Sequence, residues 1–192
     1  MCNLYTQSKS IDEVARIFRD IQMPLKFPEG LPNLQKTDIA ITDPAPIVRA
    51  GTETFELVTR RWSWPGRGGK PVYNFRSEGR EFSSGRCLIL ADGFYEFTAQ
   101  SDPKAKRKHK WLFTLEDGPL FAIAGLWRRD PVVGEAFTML TTEPGEDVRP
   151  YHGRQVVVLA QGRFGTWLDP HVPARDVLMP LPPASLKVEQ VA

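Results

Sequence analysis

Short apolar segments, most of them separated by turn-forming residues, constrain the fold of this chain more than any other feature of its sequence. These segments are rich in β-branched and aromatic residues, which favour strands. Their spacing is too short for the helical crossovers that parallel strands need, so the pattern predicts mainly antiparallel pairing. We therefore expect an α+β fold, a curled antiparallel sheet or barrel flanked by a few helices. The predicted strands cover residues 46–48, 55–61, 87–90, 94–97, 111–115, 121–126, 137–141 and 156–159.

Two segments carry a helical pattern instead. Residues 10–21 begin with a capping-box pair, Ser10 and Glu13, and continue with apolar residues at helical spacing. The apolar face of this helix should cover the sheet. A second helix is expected at residues 163–168, ending near Pro170.

Prolines mark the segments that are expected to lack regular structure. They make residues 23–36 a loop over the surface, and the proline-rich sequence from Pro173 onward indicates an extended arm. The chain has 192 residues, of which 41% are hydrophobic, and this is enough to build one core. We expect a single domain over residues 1–192.

Other features of the sequence exclude several classes of protein. No apolar run reaches the roughly 20 residues that span a bilayer, and the N-terminal residues lack the basic-then-apolar order of a secretory signal. The two cysteines and three histidines do not have the spacing of a metal site. We therefore expect a cytoplasmic protein that binds no membrane and needs neither a metal nor another cofactor.

The charge of the chain is nearly balanced, but its basic residues are unevenly distributed. A net charge of +2 is too small to indicate nucleic-acid binding by itself. One basic run, here called the basic cluster, follows a Ser-Asp-Pro turn. It is either a solvated hairpin loop or a phosphate-binding surface, and the sequence leaves both open. The basic cluster consists of Lys104, Lys106, Arg107, Lys108 and Lys110.

A cysteine stands directly behind the initiator methionine. If Met1 is removed, the chain begins with Cys2, which then carries an α-amine and a thiol on one residue. The alternative is a small residue without a function in a poorly ordered terminus. The position of Cys2 alone does not decide between the two.

A glutamate interrupts the aromatic strand that follows the turn-forming pair Asp92-Gly93 in RCLILADGFYEF. Strand alternation places Glu96 on the same face as Phe94. A carboxyl in apolar surroundings has a raised pKa and becomes a candidate acid or base near neutral pH. The alternative is a solvent-facing glutamate beside a lysine or arginine.

Two further polar segments attract attention. VRPYHGRQVVVL sets His152 in a turn before an apolar strand, either at the rim of a cleft or as a structural turn residue. VYNFRSEG carries Asn74, Arg76 and Glu78 behind a glycine-rich turn. Arg76 either grips a phosphate or forms a surface salt bridge, and Asn74 is also compatible with a helix cap.

Taken together, Cys2 and the segments NFRSE, ADGFYEF and PYHGR resemble the SOS-response-associated peptidase (SRAP) family. They occur in the family's order over nearly the whole chain, and AGLW is a further match. The resemblance implies a curled, largely antiparallel β fold with a few helices. It also implies a protein that recognises abasic sites in single-stranded DNA and links itself to them through the residue after Met1.

The resemblance assigns roles to individual residues. It implies a catalytic set of Cys2, Asn74, Glu96 and His152, with Arg76 as a ligand of DNA phosphate. Further candidates for DNA binding are three aromatic residues, for which core packing is the alternative, and two arginines. The aromatic candidates are Trp62, Trp64 and Phe75, and the arginines are Arg86 and Arg154.

The chemistry that the resemblance implies suits these residue types. An abasic deoxyribose is mostly a closed hemiacetal, which Glu96 and His152 would open to the aldehyde by moving protons. The Cys2 amine would form a Schiff base, and its thiol would close a thiazolidine ring. The expected partner is single-stranded DNA containing abasic sites, bound by a monomer that is associated with the nucleoid while on DNA.

Two alternatives remain open at this point. The chain could be a cysteine peptidase or autopeptidase in which Cys2, His152 and Asn74 serve as nucleophile, base and orienting residue. It could also be a non-catalytic single-strand-binding module. One departure from well-known relatives concerns Asn3-Leu4, which replaces Gly-Arg and removes a phosphate contact beside the nucleophile.

Overall fold

The computed structural model describes residues 2–33, 37–101, 104, 107–118 and 120–192. The helices of this part are α1 (Ile11–Asp20) and α2 (Phe164–Leu168), with short 3-10 helices at Arg67–Gly69, Gln161–Arg163 and Ala174–Asp176. The strands are β1 (Leu4–Thr6), β2 (Leu25–Lys26), β3 (Asp38–Ala40), β4 (Pro44–Ala50), β5 (Phe55–Trp62), β6 (Trp64–Pro65), β7 (Pro71–Val72), β8 (Asn74–Arg76), β9 (Arg86–Ala91), β10 (Gly93–Thr98), β11 (His109–Leu115), β12 (Phe121–Asp130), β13 (Gly134–Thr142), β14 (Gln155–Val156), β15 (Val158–Leu159) and β16 (Leu186–Gln190).

The strands form two main sheets and a small hairpin of β6 and β7. The smaller sheet has the order β16-β11-β10-β1-β3 and is antiparallel throughout. The larger sheet has the order β14-β13-β12-β9-β4-β5-β2, with β15 paired to β12 and β8 paired to β13. Its parallel contacts are β2 with β5 and β13 with both β5 and β8. The prediction of a mainly antiparallel α+β fold is confirmed.

Strand β9 explains how the sheets are packed. All of its residues are buried, so its two faces must both meet apolar partners. Ile89 faces the core between the two sheets, where it joins Phe94 and Phe113 of the smaller sheet. Leu88 faces the opposite way, into a second core closed by the helices, which includes Phe18 and Trp167. The continuous apolar sequence of β9 therefore belongs to a central strand with a core on each side.

Helix α1 forms as its sequence predicts. The Ser10 hydroxyl accepts a hydrogen bond from the Glu13 backbone N–H, and the Glu13 carboxylate accepts one from the Ser10 N–H. The buried face carries Val14 and Phe18, which pack into the second core. The prediction of a second helix is also confirmed, although its first turn is the 3-10 helix Gln161–Arg163.

The connection at Asp92-Gly93 differs from a hairpin turn. Strands β9 and β10 do not pair with each other, because β9 lies in the larger sheet and β10 in the smaller one. The Asp92 carboxylate anchors this bend by accepting hydrogen bonds from the backbone N–H and hydroxyl of Ser8. A Cβ at Gly93 would lie 2.7 Å from the Leu112 side chain, so glycine allows the strands to approach closely here.

The two proline-rich segments contain more structure than their sequences suggest. In the loop at 23–36, β2 pairs with β5, and residues 34–36 lie outside the described residues. The prediction of an extended arm from Pro173 is wrong, because Ala174–Asp176 is helical and β16 pairs with β11. The many prolines of this segment outweighed the strand-like residues of β16, whose first residue, Leu186, is buried. Within the described residues no helix is both long and apolar enough to cross a membrane.

Arg86 fastens the segment after α2 to the start of β9. The residue is 5% exposed, and its guanidinium lies 4.6 Å from the centre of the Trp167 ring. Its nitrogens donate hydrogen bonds to four backbone carbonyls, which belong to Phe82, Trp167, Asp169 and Val172. Three of these carbonyls lie at the end of α2 and just after it, and the fourth lies shortly before β9, so one side chain satisfies acceptors that the sheets cannot reach.

We expect Arg86→Met to lower the free energy of unfolding by about 3 kcal/mol, because it leaves several carbonyls without a donor. Arg86→Lys should lose most of the same stability, since an ammonium lacks the planar fork of donors. Urea unfolding followed by tryptophan fluorescence measures both. The exposed Arg67 supplies the control, and Arg67→Met should leave stability unchanged. Equal stabilities for the Arg86 and Arg67 variants would contradict this role.

Candidate functional site

A cleft of about 410 Å³ opens beside the N-terminal strand. It is lined by Asn3, Glu96, Phe97, Lys108 and His152. Two of the residues predicted to be catalytic therefore share one cleft, although they are far apart in sequence. Another cleft, of about 460 Å³, lies on the loop from Ser77 to Glu81. None of the four predicted catalytic residues lines this second cleft, so the volume of a cleft alone does not identify the functional site.

Cys2 lies beside this cleft, immediately before β1, and is only 1% exposed. Its thiol donates a hydrogen bond to the carbonyl of Leu4 at 3.2 Å. Burial raises the pKa of the thiol to about 12, and the nearby Glu96 carboxylate acts in the same direction. The sulfur is therefore a protonated thiol at neutral pH. A poorly ordered terminus, the alternative for this residue, does not describe Cys2.

Glu96 lies on β10 and is 1% exposed, on the same buried face as Phe94. Burial raises the pKa of its carboxyl, while the positive charge of His152 and the backbone N–H of Cys2 partly offset that effect. Burial thus moves the protonation of this carboxyl toward neutral pH. The alternative of a solvent-facing glutamate is wrong, and Glu96 is placed to hold or release a proton beside Cys2.

Asn74 opens β8, which lies parallel to β13 with Asn74 opposite Met139. Its side-chain amide donates a hydrogen bond to the carbonyl of Cys2 at 2.8 Å. Its Oδ1 atom is buried and has no hydrogen-bond partner among the described residues. Asn74 does not cap a helix. It holds the main chain of Cys2 and presents a buried acceptor beside it.

His152 ends the turn that precedes β14. Its Nδ1 atom lies 3.0 Å from both the backbone nitrogen and the carbonyl oxygen of Arg154. The backbone thus engages Nδ1 and orients the ring, so the imidazole is held in a fixed position in the cleft. The preceding Tyr151 ring packs 4.7 Å from Trp111 and 5.4 Å from Phe113. These contacts fix the turn, so that the imidazole is both oriented and placed at the rim.

The predicted phosphate-binding arginines differ in their surroundings. Arg154 donates two hydrogen bonds to the Glu78 carboxylate and two more to Thr141, and only 15% of its side chain is exposed. The guanidinium of Arg86 donates hydrogen bonds to backbone carbonyls and is therefore not available to bind phosphate. Arg76, at the end of β8, is exposed and forms no ion pair among the described residues. The alternative of a surface salt bridge therefore does not describe Arg76, and the neighbouring Glu78 pairs with Arg154 instead.

The predicted stacking residues mostly belong to the core. Trp62 is fully buried, and its indole N–H donates to the carbonyl of Tyr73 at 3.0 Å. Trp64 is 6% exposed, and the Arg128 guanidinium covers its ring at 4.3 Å. Neither ring offers a free face to a base, so core packing is the correct interpretation for both. Phe75 is partly buried against the second core.

The sequence did not identify every residue of the cleft. Asn3, Phe97 and Lys108 line it, and of these only Lys108 had been singled out, as part of the basic cluster. In the same cluster, Lys110 packs 3.9 Å from the Tyr95 ring and pairs with Asp38 at 3.8 Å. Lys106 lies outside the described residues. The tertiary structure determines which residue of the basic cluster lines the cleft. The spacing of these residues in the sequence does not predict it.

Groups of side chains that could bind a metal ion are a further possible type of functional site. Over the described ranges, no group of three histidine, cysteine, aspartate or glutamate side chains is arranged to hold a metal ion.

Comparison with known proteins identifies relatives along the chain. The "Abasic site processing protein YoaM" of Bacillus subtilis (strain 168) is 28% identical over 201 residues, which cover 94% of this chain and 85% of that protein. The "Abasic site processing protein YoqW" of the same organism is 35% identical over 102 residues. That match covers 51% of this chain and 44% of the relative.

Solved structures show the same architecture. A crystal structure of a protein from Bordetella bronchiseptica has a TM-score of 0.75 and 26% identity, and the match covers all of both chains. A protein from Bacteroides thetaiotaomicron has a TM-score of 0.74 at 16% identity, over 100% of this chain and 92% of that one, and therefore supports the fold alone. The family model of the SOS response associated peptidase (SRAP) matches residues 1–192, and the chain belongs to this family.

Proposed function

We propose that this protein processes abasic sites in single-stranded DNA by linking itself covalently to the lesion through Cys2 after Met1 is removed. One observation carries the proposal: the main chain of Cys2 is held between Asn74, which donates to its carbonyl, and Glu96, which accepts from its N–H. His152 lines the same cleft. The names of the relatives, which are abasic site processing proteins, support this substrate class.

The nucleophile in this proposal is the α-amine of Cys2. An α-amine has a pKa near 7.7–8.0, compared with about 10.4 for lysine, so its neutral form is far more populated at neutral pH. Removal of Met1 turns the Cys2 backbone N–H that faces Glu96 into this amine. The buried Oδ1 of Asn74, which has no partner among the described residues, can then accept a hydrogen bond from the amine.

Glu96 and His152 are assigned to proton transfer at the sugar. Opening the hemiacetal requires loss of the proton from the C1′ hydroxyl and gain of a proton on the ring oxygen as the C1′–O4′ bond breaks. A carboxyl with a raised pKa exchanges protons readily near neutral pH, and the imidazole of His152, which lines the same cleft, is assigned as its partner in that exchange. The amine then adds to the C1′ aldehyde, and loss of water leaves a Schiff base.

The thiol completes the link. Its raised pKa, about 12, keeps it protonated while the amine reacts. The S–H bond then adds across the C=N bond, so that sulfur bonds to C1′ and its proton ends on nitrogen. The product is a five-membered thiazolidine. No oxidant or metal takes part in this sequence of steps.

The raised thiol pKa also bears on the peptidase alternative. A cysteine peptidase needs a thiolate, and its microenvironment normally lowers the thiol pKa. Burial and the adjacent Glu96 have the opposite effect on Cys2. A covalent DNA link through the amine therefore fits the site better than peptide hydrolysis through the thiolate.

Protein that begins with Cys2 should form an adduct with a single-stranded oligonucleotide containing one abasic site, and the adduct should survive boiling in detergent. Undamaged oligonucleotide should give none, and protein that retains Met1 should give none because its Cys2 nitrogen is an amide. Gel electrophoresis measures the adduct, and mass spectrometry verifies the N-terminus. If protein verified to start at Cys2 forms no adduct, the non-catalytic single-strand-binding module replaces the proposed function.

Cys2→Ser separates the two reactive groups, because serine keeps the amine and lacks the thiol. This variant should form a Schiff base that is trapped by borohydride, but little adduct should survive without the reductant. The other cysteine of the chain provides the control, since Cys87→Ala keeps Cys2 and should link like the parent. A Cys2→Ser adduct as stable as the parent's would show that ring closure does not stabilise the link.

Glu96→Gln preserves the shape of the buried side chain and removes its proton exchange. We expect adduct formation to slow by roughly two to four decades, while affinity for undamaged single strands stays unchanged. Rapid-quench kinetics under saturating protein measures the rate. The exposed Glu53 supplies the matched control, and Glu53→Gln should react like the parent. A parental rate for Glu96→Gln would transfer the proton relay to His152.

A further inference from the structure

The imidazole of His152 is placed by the short segment that carries it. Residues 145–152 lie between β13 and β14 and are called the histidine turn here. The carbonyl of Val148 accepts hydrogen bonds from the backbone N–H groups of Tyr151, at 2.9 Å, and of His152, at 3.0 Å. Val148 itself is fully buried in the core between the two sheets. The position of the imidazole therefore follows the position of the chain around Val148.

Asp147, the residue before Val148, connects the histidine turn to a distant part of the chain. One oxygen of its carboxylate accepts a hydrogen bond from the backbone N–H of Ala184 at 2.9 Å, and the other accepts one from that of Leu186 at 3.0 Å. Leu186 is the first residue of β16, which pairs with β11 in the smaller sheet. Hydrogen bonds to a carboxylate are stronger than those between neutral groups. Asp147 therefore fastens the histidine turn to the edge of this sheet.

The backbone at the start of β16 presents two N–H groups to Asp147. β16 is the outer strand of the smaller sheet. The Glu116 N–H donates to the Ser185 carbonyl at 2.9 Å, and because antiparallel strands bond through alternate residues, the N–H of Leu186 faces away from β11. Ala184 has a φ of 61°, in the left-handed region that costs energy for a residue with a Cβ. The Asp147 carboxylate thus satisfies donors that β11 does not reach and holds this bend.

The histidine turn also packs against the neighbouring strand of the same sheet. The ring centre of Tyr151 lies 4.7 Å from that of Trp111 on β11, and Trp111 stands opposite Glu96 of β10. The turn is therefore held to the smaller sheet by Asp147 at β16 and by Tyr151 at β11, and Glu96 lies on the next strand of that sheet. These contacts fix the position of His152 relative to Glu96, with which it shares the cleft.

We propose that Asp147 is a positioning residue, which keeps His152 at the place in the cleft where it exchanges protons together with Glu96. Among the described residues Asp147 lies outside the set that lines the cleft, so it acts through the histidine turn and not on the substrate. The hydrogen bonds of its carboxylate carry this role, because they connect the turn to β16. The inference rests on the proposed function, in which Glu96 and His152 transfer protons at the sugar.

Two substitutions separate the hydrogen bonds of Asp147 from its charge. Asp147→Ala removes both acceptors, whereas Asp147→Asn removes the charge but keeps one acceptor oxygen. We expect adduct formation at saturating protein to slow roughly 10- to 100-fold for Asp147→Ala, because a small displacement of a proton-transfer group costs that much. Asp147→Asn should slow it only about threefold, since one of the two bonds to β16 remains. Equal slowing by the two variants would assign the effect to the charge and contradict the proposal.

Binding is measured separately from the reaction. The probe is an oligonucleotide with a tetrahydrofuran analogue of the abasic site, which cannot open to an aldehyde and reports affinity alone. The affinity of Asp147→Ala for this probe should differ from the parent's by less than about twofold, because a positioning residue affects the rate and not the binding. A loss of affinity as large as the loss of rate would overturn the proposed role.

Asp130 supplies a matched control, because its carboxylate also holds a turn. It accepts hydrogen bonds from the backbone N–H groups of Val132, at 3.0 Å, and Val133, at 3.4 Å, between β12 and β13. Like Asp147, it lies outside the described residues that line the cleft. Asp130→Ala should lower the free energy of unfolding in urea, as Asp147→Ala does, and yet form the adduct at the parental rate. Equal slowing by both variants would reduce the role of Asp147 to general stability.

The ring signals of His152 report its position directly. The chain has three histidines, so the magnetic resonance spectrum of protein with isotope-labelled histidine contains few ring signals, and His152→Asn assigns those of His152. These signals should shift in Asp147→Ala and stay in place in Asp130→Ala, while those of His171, after α2, should stay in place in both. A slowed rate with unshifted His152 signals would show that Asp147 acts by another route, against the inference.

The inference and the proposed function fail in different ways. If parent protein that starts at Cys2 forms no adduct, the proposed covalent chemistry fails, and the ring signals of His152 alone decide whether Asp147 positions the imidazole. If the parent forms the adduct and Asp147→Ala matches its rate, the covalent chemistry stands and the inference is overturned.

Discussion

The pairing of β1 with β10 is the constraint on which the rest of the site depends. Tyr5 lies opposite Phe94 in this antiparallel ladder. The same register, continued beyond the end of β1, brings the chain at Asn3 and Cys2 alongside Glu96. A shift by one residue would turn Glu96 toward the other face of the sheet. The buried pair Tyr5 and Phe94, both fully inaccessible, holds that register because any slip would expose them.

This arrangement carries a free-energy cost that is concentrated at the site. Burial raises the pKa of both the Glu96 carboxyl and the Cys2 thiol, so each resists ionisation in the folded protein. For Glu96 the folded state binds its proton more tightly than the unfolded chain, whose ordinary value is 4.5. The stability that the neutral carboxyl contributes is therefore present below that value and is lost as the pH rises through the folded pKa. Proton-transfer centres commonly make the folded protein less stable at neutral pH than an apolar core in the same place would.

The sequence predicted local features well and long-range ones poorly. The capping box of α1 follows from residues a few positions apart, and strand alternation placed Glu96 on the face of Phe94 but left open whether its carboxyl is buried, as the structure shows it to be. Periodicity does not say which sheet a strand joins, so it could not show that β9 and β10 part at Asp92-Gly93. It also could not separate a core tryptophan from a stacking one, as Trp62 demonstrates. The catalytic set itself came from resemblance, because single polar residues such as His152 are ambiguous until the fold places them.

Two segments that look independent in the sequence form one physical unit at the cleft. Asn74 and Glu78 belong to the first segment, and His152 and Arg154 belong to the second. The Glu78 carboxylate holds the Arg154 guanidinium, and the Arg154 backbone in turn holds Nδ1 of His152. At the other end of the first segment, Asn74 holds Cys2. Contacts with β8 and the residues that follow it therefore fix the positions of both the His152 imidazole and the Cys2 main chain. A change at Glu78 that frees Arg154 would act on the geometry of His152 without touching the reacting atoms, because the link runs from the Glu78–Arg154 ion pair through the Arg154 backbone to Nδ1 of His152.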